Sequence, residues 1–300
     1  MAQSTTNGVR YIVEGGHRLA GEIEPAGNKN AALPIIAAAL LTDQMVTLTN
    51  VPRIRDVEAL VELIRTLGAE ASWDAADANT LVIEAKKVKP AALDPELCAR
   101  IRASILLAGP LLARAGKVTL PPPGGDVIGR RRVDTHFLAL QQMGAKITVG
   151  QTYDFRAAKL KGADVFLDEP SVTGTENALM AATAASGVTV LRNVASEPHV
   201  QDLANFLVTL GARIEGIGTN TMTVHGGLPL SGGTFRIGPD HIEVGSLIGL
   251  AAVTRSELRI KRAGVAHFRS ILMGFDRLGI QCRIEGDDLL VPAQQTRRIR

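Results

Sequence analysis

Aromatic residues make up only 3% of this 300-residue chain, too few to supply the stacking platforms that hold single-stranded nucleic acid. Cysteine is nearly absent. Cys98 and Cys282 lie far apart in apolar surroundings, which suggests neither a disulfide framework nor a zinc site and fits a reducing cytoplasm. A surplus of one charge is missing too: 33 basic residues against 30 acidic leave +3, so any basic site must be local. The opening MAQSTTNGVR has no apolar stretch of the signal-peptide kind. The longest apolar run, Ala31 to Leu41, is interrupted by Pro34 and is too short to span a bilayer. The six histidines show no metal-ligand spacing, and no phosphate-loop, nucleophile-elbow or dinucleotide motif occurs. These absences predict a cytoplasmic protein with no metal, no cofactor, no nucleic-acid or membrane partner and no obligate protein partner.

What is present is a large apolar fraction, 46%, ample for a buried core and, at this length, for two domains. Arginine dominates the basic residues, 24 against 9 lysines, which favours planar, bidentate partners such as phosphate or carboxylate. The chain also repeats itself. Four segments (56–73, 133–149, 200–218 and 267–284) each read as an amphipathic helix, a glycine and a short strand. The glycines are Gly68, Gly144, Gly211 and Gly279, spaced 76, 67 and 68 residues apart. Before each lies a strand, and before that a helix of small apolar residues that should be buried, such as NKNAALPIIAAALL or TENALMAATAASG.

The unit is therefore β-α-β-α-β-β, repeated four times in an α/β (α+β) protein. A hairpin at about 8–24 looks like the tail of a unit whose front is elsewhere, and it is expected to join the last repeat. That predicts a discontinuous first domain, 8–24 plus 233–300, around an inserted domain, 25–232, of three units.

One stretch concentrates chemistry. Residues 122–136, PPGGDVIGRRRVDTH, join a glycine pair to Asp126, three consecutive arginines (Arg130, Arg131, Arg132) and Asp134. Glycines permit tight backbone paths, and arginines make a fork-shaped anion receptor; a polar surface loop with a solvated charge run is the alternative. Lys29 opens the first buried helix beside free backbone N–H groups, which suits a phosphate or carboxylate, unless Asn28 merely caps and Lys29 is solvated. Arg102 is expected inside the second buried helix, where its charge needs a partner or must snorkel. Asp134 and Ser171 read as helix-capping residues.

Together GNKNAALP (27–34), RASILLAGPLLAR (102–114), PGGDVIGRRRVDTH (123–136), SVTGTENALMAA (171–182), EPHVQDLANFLVTLGARIEGIGT (197–219) and PDHIEVG (239–245) resemble the enolpyruvyl transferases, in family order over nearly the whole chain. The resemblance implies an inside-out α/β barrel-like fold of six such units in two domains. It implies transfer of enolpyruvate from phosphoenolpyruvate to the 3′-hydroxyl of UDP-N-acetylglucosamine, with release of phosphate, in peptidoglycan precursor synthesis. Lys29, Asn30 and Arg131 then match phosphoenolpyruvate-binding positions. Arg102, Arg131, Arg132, Val133, Asp134, Thr135, Ser171 and Val172 match the nucleotide-sugar pocket. Asp126 matches the proton donor, usually cysteine in the family, and lacks the thiol that fosfomycin alkylates.

Arg132 stands where proline is usual, Glu169 where lysine is usual and His241 where arginine is usual, which opens the identity of the acceptor. Four of six units are expected here, with the hydroxyl-binding aspartate and further phosphoenolpyruvate arginines beyond Arg300, so these residues alone are expected to turn over little. The alternatives are a 5-enolpyruvylshikimate-3-phosphate synthase-like transferase, an RNA 3′-phosphate cyclase-like protein and a non-catalytic ligand-binding relic.

Overall fold

A computed structural model describes residues 12–89, 93–125 and 132–295. In chain order the first passage holds β1 (Ala20–Ile23), α1 (Lys29–Ala38), β2 (Val46–Thr49), α2 (Arg55–Thr66), β3 (Glu70–Trp73) and β4 (Leu81–Glu84). The second holds α3 (Pro95–Arg100), α4 (Ala108–Ala115), β5 (Lys117–Leu120), α5 (Asp134–Gln142), β6 (Lys146–Val149) and β7 (Tyr153–Arg156). The third holds β8 (Asp164–Phe166), α6 (Val172–Ala184), β9 (Gly187–Arg192), α7 (Pro198–Thr209), β10 (Arg213–Glu215) and β11 (Thr221–Gly226). The fourth holds β12 (Gly233–Arg236), α8 (His241–Thr254), β13 (Glu257–Ile260), α9 (Arg269–Arg277), β14 (Arg283–Glu285) and β15 (Asp288–Val291).

All four repeat glycines have positive φ, between 75° and 108°, and they end α2, α5, α7 and α9 in the same way. After α2, Gly68 N–H donates to Arg65 and Ala69 N–H to Ile64; the other three ends repeat those two bonds. This double closure satisfies the helix's last carbonyls, and the left-handed residue in it is cheapest as glycine. The repeat is thus a backbone motif.

Three sheets share one plan, a parallel pair continued by antiparallel strands: β8-β9-β11-β10, β12-β2-β4-β3 and β1-β13-β15-β14. The fourth is β5-β7-β6. Each sheet is open; no closed barrel forms among the described residues. In the third passage β8 pairs with the strand that follows it, β9, but the other two sheets exchange their leading strands. β1 pairs with β13, 237 residues on, Ala20 opposite Glu257, while β12 pairs with β2, Gly233 opposite Val46. The exchange divides the chain into two compact units, the described residues 26–238 and the described residues to either side of them. Among the described residues, 12–24 hold one strand, β1, which joins the last repeat by pairing with β13; residues 8–11 of the expected hairpin lie outside the described residues.

Within 26–238 the helices form two classes. α1 is buried on every side from Ala31 to Ala38, and α6 from Gly174 to Thr183; α2 and α7 are amphipathic and bury one face. α1 and α6 pack on each other, and α4 packs on α6. The stretch 102–115 is not the continuous helix predicted. Ile101 is extended, residues 102–107 form a tight 3-10 turn, and α4 begins only at Ala108. Pro110 carries no N–H and its ring crowds the carbonyl four residues back, which disfavours a regular helix through Leu106. The flanking unit has its own smaller core, centred on Val244, Ile248, Ile260, Phe268 and Leu289.

Candidate active site

The first turns of α1, α6 and α7 and the 3-10 turn at Arg102 border one cavity of about 650 Å³. Lys29, Asn30, Arg102, Arg132, Ser171 and Val172, drawn from four separate stretches of sequence, all line it. Asp126, Arg130 and Arg131 lie outside the described residues. Gly125 and Arg132, described on either side of them, both line the cavity.

At α1 the Asn28 side chain accepts a bond from Asn30 N–H at 2.8 Å and so caps the helix. Lys29 Nζ lies 2.9 Å from Asp56 in the first turn of α2, both side chains being roughly half exposed (46% and 40%). Such a pair holds its cation lightly. At α6, Ser171 Oγ accepts from Gly174 N–H at 3.2 Å. The capping role predicted for Asp134 is replaced by another: Val133 is the N-cap residue, and the Asp134 carboxylate faces Arg132.

Arg132 is the most heavily paired side chain here. Its guanidinium donates to Asp134 at 2.8 to 3.1 Å and to Asp168, and lies 3.7 Å from Glu169. Arg132 first, and Thr135 after it, hold the Asp168 carboxyl below its ordinary range against the opposing effect of burial. The Arg132 carbonyl in turn accepts a bond from Arg102 at 2.8 Å. Arg102 is therefore not in a helix interior. Extended Ile101 puts it first in the 3-10 turn, half-buried, with its head reaching the chain at 132.

The glycine pair sets the path of the loop into this cluster. Gly124 and Gly125 N–H donate to Cys98 and Ala99 carbonyls at the end of α3. A Cβ on Gly124 would stand 1.7 Å from the Ala99 oxygen, which is backbone and cannot swing away. Gly124→Ala is expected to cost about 2 kcal/mol by overpacking, lowering the melting temperature by about 4–8 °C for a unit of this size. Calorimetry checks this, and an unchanged melting temperature would contradict the packing.

Behind the cavity lies a buried polar hub that the sequence did not reveal. Asn177 Nδ2 donates to Ile105 O and to His136 Nδ1, and its Oδ1 accepts from Gly109 N–H, each at 2.8 Å. Since His136 Nδ1 is an acceptor there, Nε2 carries the proton and faces Thr173 Oγ1 at 3.1 Å. Burial first, and the Arg102 charge second, push His136 down to about 3, so it stays neutral. Glu176, one residue before Asn177, also lines the cavity, and burial followed by the Glu197 charge holds its carboxyl well above the ordinary range. The available signal was the pair Glu176-Asn177 inside a helix apolar on most sides, where a polar group must find a partner.

These two buried groups pull stability in opposite directions with pH. His136 titrates lower in the folded chain than its ordinary 6.5, so its contribution is present above about 6.5 and is lost as pH falls toward 3. Glu176 titrates above its ordinary 4.5, so its contribution is present below 4.5 and is lost as pH rises. Between 4.5 and 6.5 the two slopes oppose each other, each at most about 1.4 kcal/mol per pH unit. Glu176→Gln removes one slope and uncovers the other, so the variant should gain stability with pH across that window more steeply than the parent. Urea melts across the window check this; parallel curves contradict it.

A family profile described as EPSP synthase (3-phosphoshikimate 1-carboxyvinyltransferase) matches residues 13–298. Among curated proteins, the UDP-N-acetylglucosamine 1-carboxyvinyltransferase of Bradyrhizobium diazoefficiens is 74% identical over 97% of this chain and 67% of its own. That of Treponema denticola is 49% identical over 96% and 67%. Among solved structures, the enolpyruvyl transferase NikO from Streptomyces tendae superposes with a TM-score of 0.79 at 26% identity, covering 93% of this chain and 66% of its own. EPSP synthase from Acinetobacter baumannii, at 20% identity and a TM-score of 0.74 over 92% and 65%, shares the fold. The chain spans about two thirds of the length of these relatives.

Proposed function

This chain belongs to the enolpyruvyl transferase family described as EPSP synthase, and we propose on that premise that it acts in transferring enolpyruvate from phosphoenolpyruvate to UDP-N-acetylglucosamine. The observation that carries the proposal is the cavity itself, which gathers Lys29, Asn30, Arg102, Arg132, Ser171 and Val172. The curated relatives' names supply the acceptor. Chemically, the enol methylene takes a proton, the acceptor hydroxyl attacks the neighbouring carbon to give a tetrahedral ketal, and phosphate leaves as the double bond re-forms. The acceptor's proton is given up in attack and one methyl proton is lost in elimination.

We assign the anionic donor to Lys29 and Asn30 at the α1 N-terminus, where a cation and backbone N–H groups converge. Asp126 is proposed as the proton donor and Arg131 as a phosphoenolpyruvate contact. The nucleotide sugar is assigned to Arg102, Arg131, Val133, Asp134, Thr135, Ser171 and Val172. Arg132 belongs to that pocket as a positioning residue, because its guanidinium is occupied by Asp134, Asp168 and Glu169. Two departures from the family pattern, Arg132 and Glu169, thus face each other and keep a cation at this wall. We place the protein in the cytoplasm, in keeping with two free cysteines.

The family profile's own description favours a second acceptor, shikimate 3-phosphate. Thermal-shift titrations separate the two, since a ligand that binds the folded state and not the unfolded one raises the melting temperature by mass action. UDP-N-acetylglucosamine should raise it and shikimate 3-phosphate should not. The reverse order would move the chain to the other acceptor.

A further inference from the structure

We propose that Glu176 is a specificity-determining residue that accepts a hydrogen bond from a hydroxyl or amide N–H on the sugar half of the nucleotide-sugar acceptor. The assignment rests on the function proposed above and names a residue for it.

Glu176 sits one turn into α6, on the face that Val172 and Thr173 also present to the cavity. The residue is only 1% exposed, and its Oε1 has no hydrogen-bond partner. Its neighbours in the same helix behave differently. Thr175 Oγ1 accepts from Ala195 N–H at 3.0 Å, and Asn177 uses both ends of its amide. Buried polar groups in folded proteins are paired as a rule, and an unpaired one is costly. An apolar side chain of the same length would avoid that cost. A carboxyl kept here, at the wall of a cavity, is therefore satisfied by what enters the cavity.

The chemistry of the entering group follows from the charges. Lys29, Arg100 and Arg102 line the same cavity and are the natural seats of phosphate and carboxylate. Glu176 has the opposite character. Burial and the nearby Glu197 charge hold it toward its neutral form, and no cationic moiety takes part in the proposed reaction. A neutral donor remains, and a hexose bearing hydroxyls and an acetamido N–H supplies one. A carboxyl oxygen accepts such a bond in either protonation state. A site built around a substrate O–H or N–H discriminates strongly against ligands that lack it.

The test compares the affinities of the full chain for UDP-N-acetylglucosamine and for UDP, which lacks the sugar, by isothermal titration calorimetry. The parent should bind the sugar nucleotide more tightly than UDP. Glu176→Met keeps the volume and removes the acceptor. It should weaken UDP-N-acetylglucosamine about tenfold, the scale of one lost hydrogen bond, while UDP binding stays within twofold. Glu176→Gln keeps a carbonyl acceptor and should restore most of the preference. Because an unpaired buried carboxyl is removed, the Met variant should melt no lower than the parent.

A Met variant that melts lower and loses both nucleotides equally would make Glu176 a structural residue and overturn the assignment. So would a Gln variant as impaired as the Met variant, or a Met variant with the preference intact. A parent chain that binds neither nucleotide would instead overturn the proposed function, and the assignment with it.

Discussion

Asn177→Leu should destabilise the fold by about 4 kcal/mol. Gly109 N–H and the Ile105 carbonyl are the i and i−4 groups of a regular helical turn, and the Asn177 amide bridges them, donating to one and accepting from the other. Its second amide proton goes to His136 Nδ1. Leucine fits the volume but strands all three groups in the core between α4, α5 and α6. Each stranded buried group costs about 1–3 kcal/mol, and the Ile105 carbonyl is partly spared because Ala108 N–H also donates to it. For a unit of this size the loss corresponds to a fall in melting temperature of about 10 °C. Urea denaturation gives the free energy; a loss below about 1 kcal/mol would mean that the hub is not formed as described. The effect should reach the cavity as well, because His136 is the residue that holds Thr173 at its wall.

Lys29→Ala should behave in the opposite way, with little change in stability and a large change in binding. Its ion pair with Asp56 is exposed, and such pairs add little to folding. As an anion seat at a helix N-terminus the ammonium matters more, since charge-assisted bonds to an anion are about twice as strong as neutral ones. Exchange of Asp56 for the phosphate or carboxylate of phosphoenolpyruvate costs the lysine only that weak pair. The substitution is expected to raise the Kd for phosphoenolpyruvate, measured in the presence of UDP-N-acetylglucosamine, about 100-fold, or roughly 2.7 kcal/mol. The Kd of the sugar nucleotide itself should change much less. A loss confined to the nucleotide would contradict the assignment of the donor to α1.

How much of this was legible in the sequence depended on how local the cause was. The four helix ends could be read because the closing motif needs one glycine at a fixed offset from an amphipathic face, and Gly68, Gly144, Gly211 and Gly279 all carry it. The burial of α1 and α6 could be read from their alanine content, but the same reading fails for α8, of which only Val244, Ile248 and Ala251 are buried while Ile242 and Val253 face outward. The pairing of β12 with β2 could not, because no local feature of residues 233–236 names a partner 187 residues earlier. The break at Ile101 was missed for a related reason: the strain of Pro110 is local, but the amide that accepts Gly109 N–H comes from Asn177. Lys29, Ser171 and Arg102 stand out from helix-start chemistry and an out-of-place charge, and Asn30 only from the family resemblance. Asp168 and Glu176 do not, and Glu169 stands out only as a departure from the family pattern. Their significance is that they face Arg132 or the cavity, and only the fold creates that neighbourhood.

Whether one cavity within residues 26–238 receives the nucleotide sugar is decided by a crystal structure of the chain soaked with UDP-N-acetylglucosamine. The diphosphate should lie beside Arg102 and the α6 N-terminus at Ser171 and Val172, with the hexose extending past Glu176 toward Lys29 and Asn30. Density for the nucleotide at any other surface, with this cavity empty, would contradict this placement.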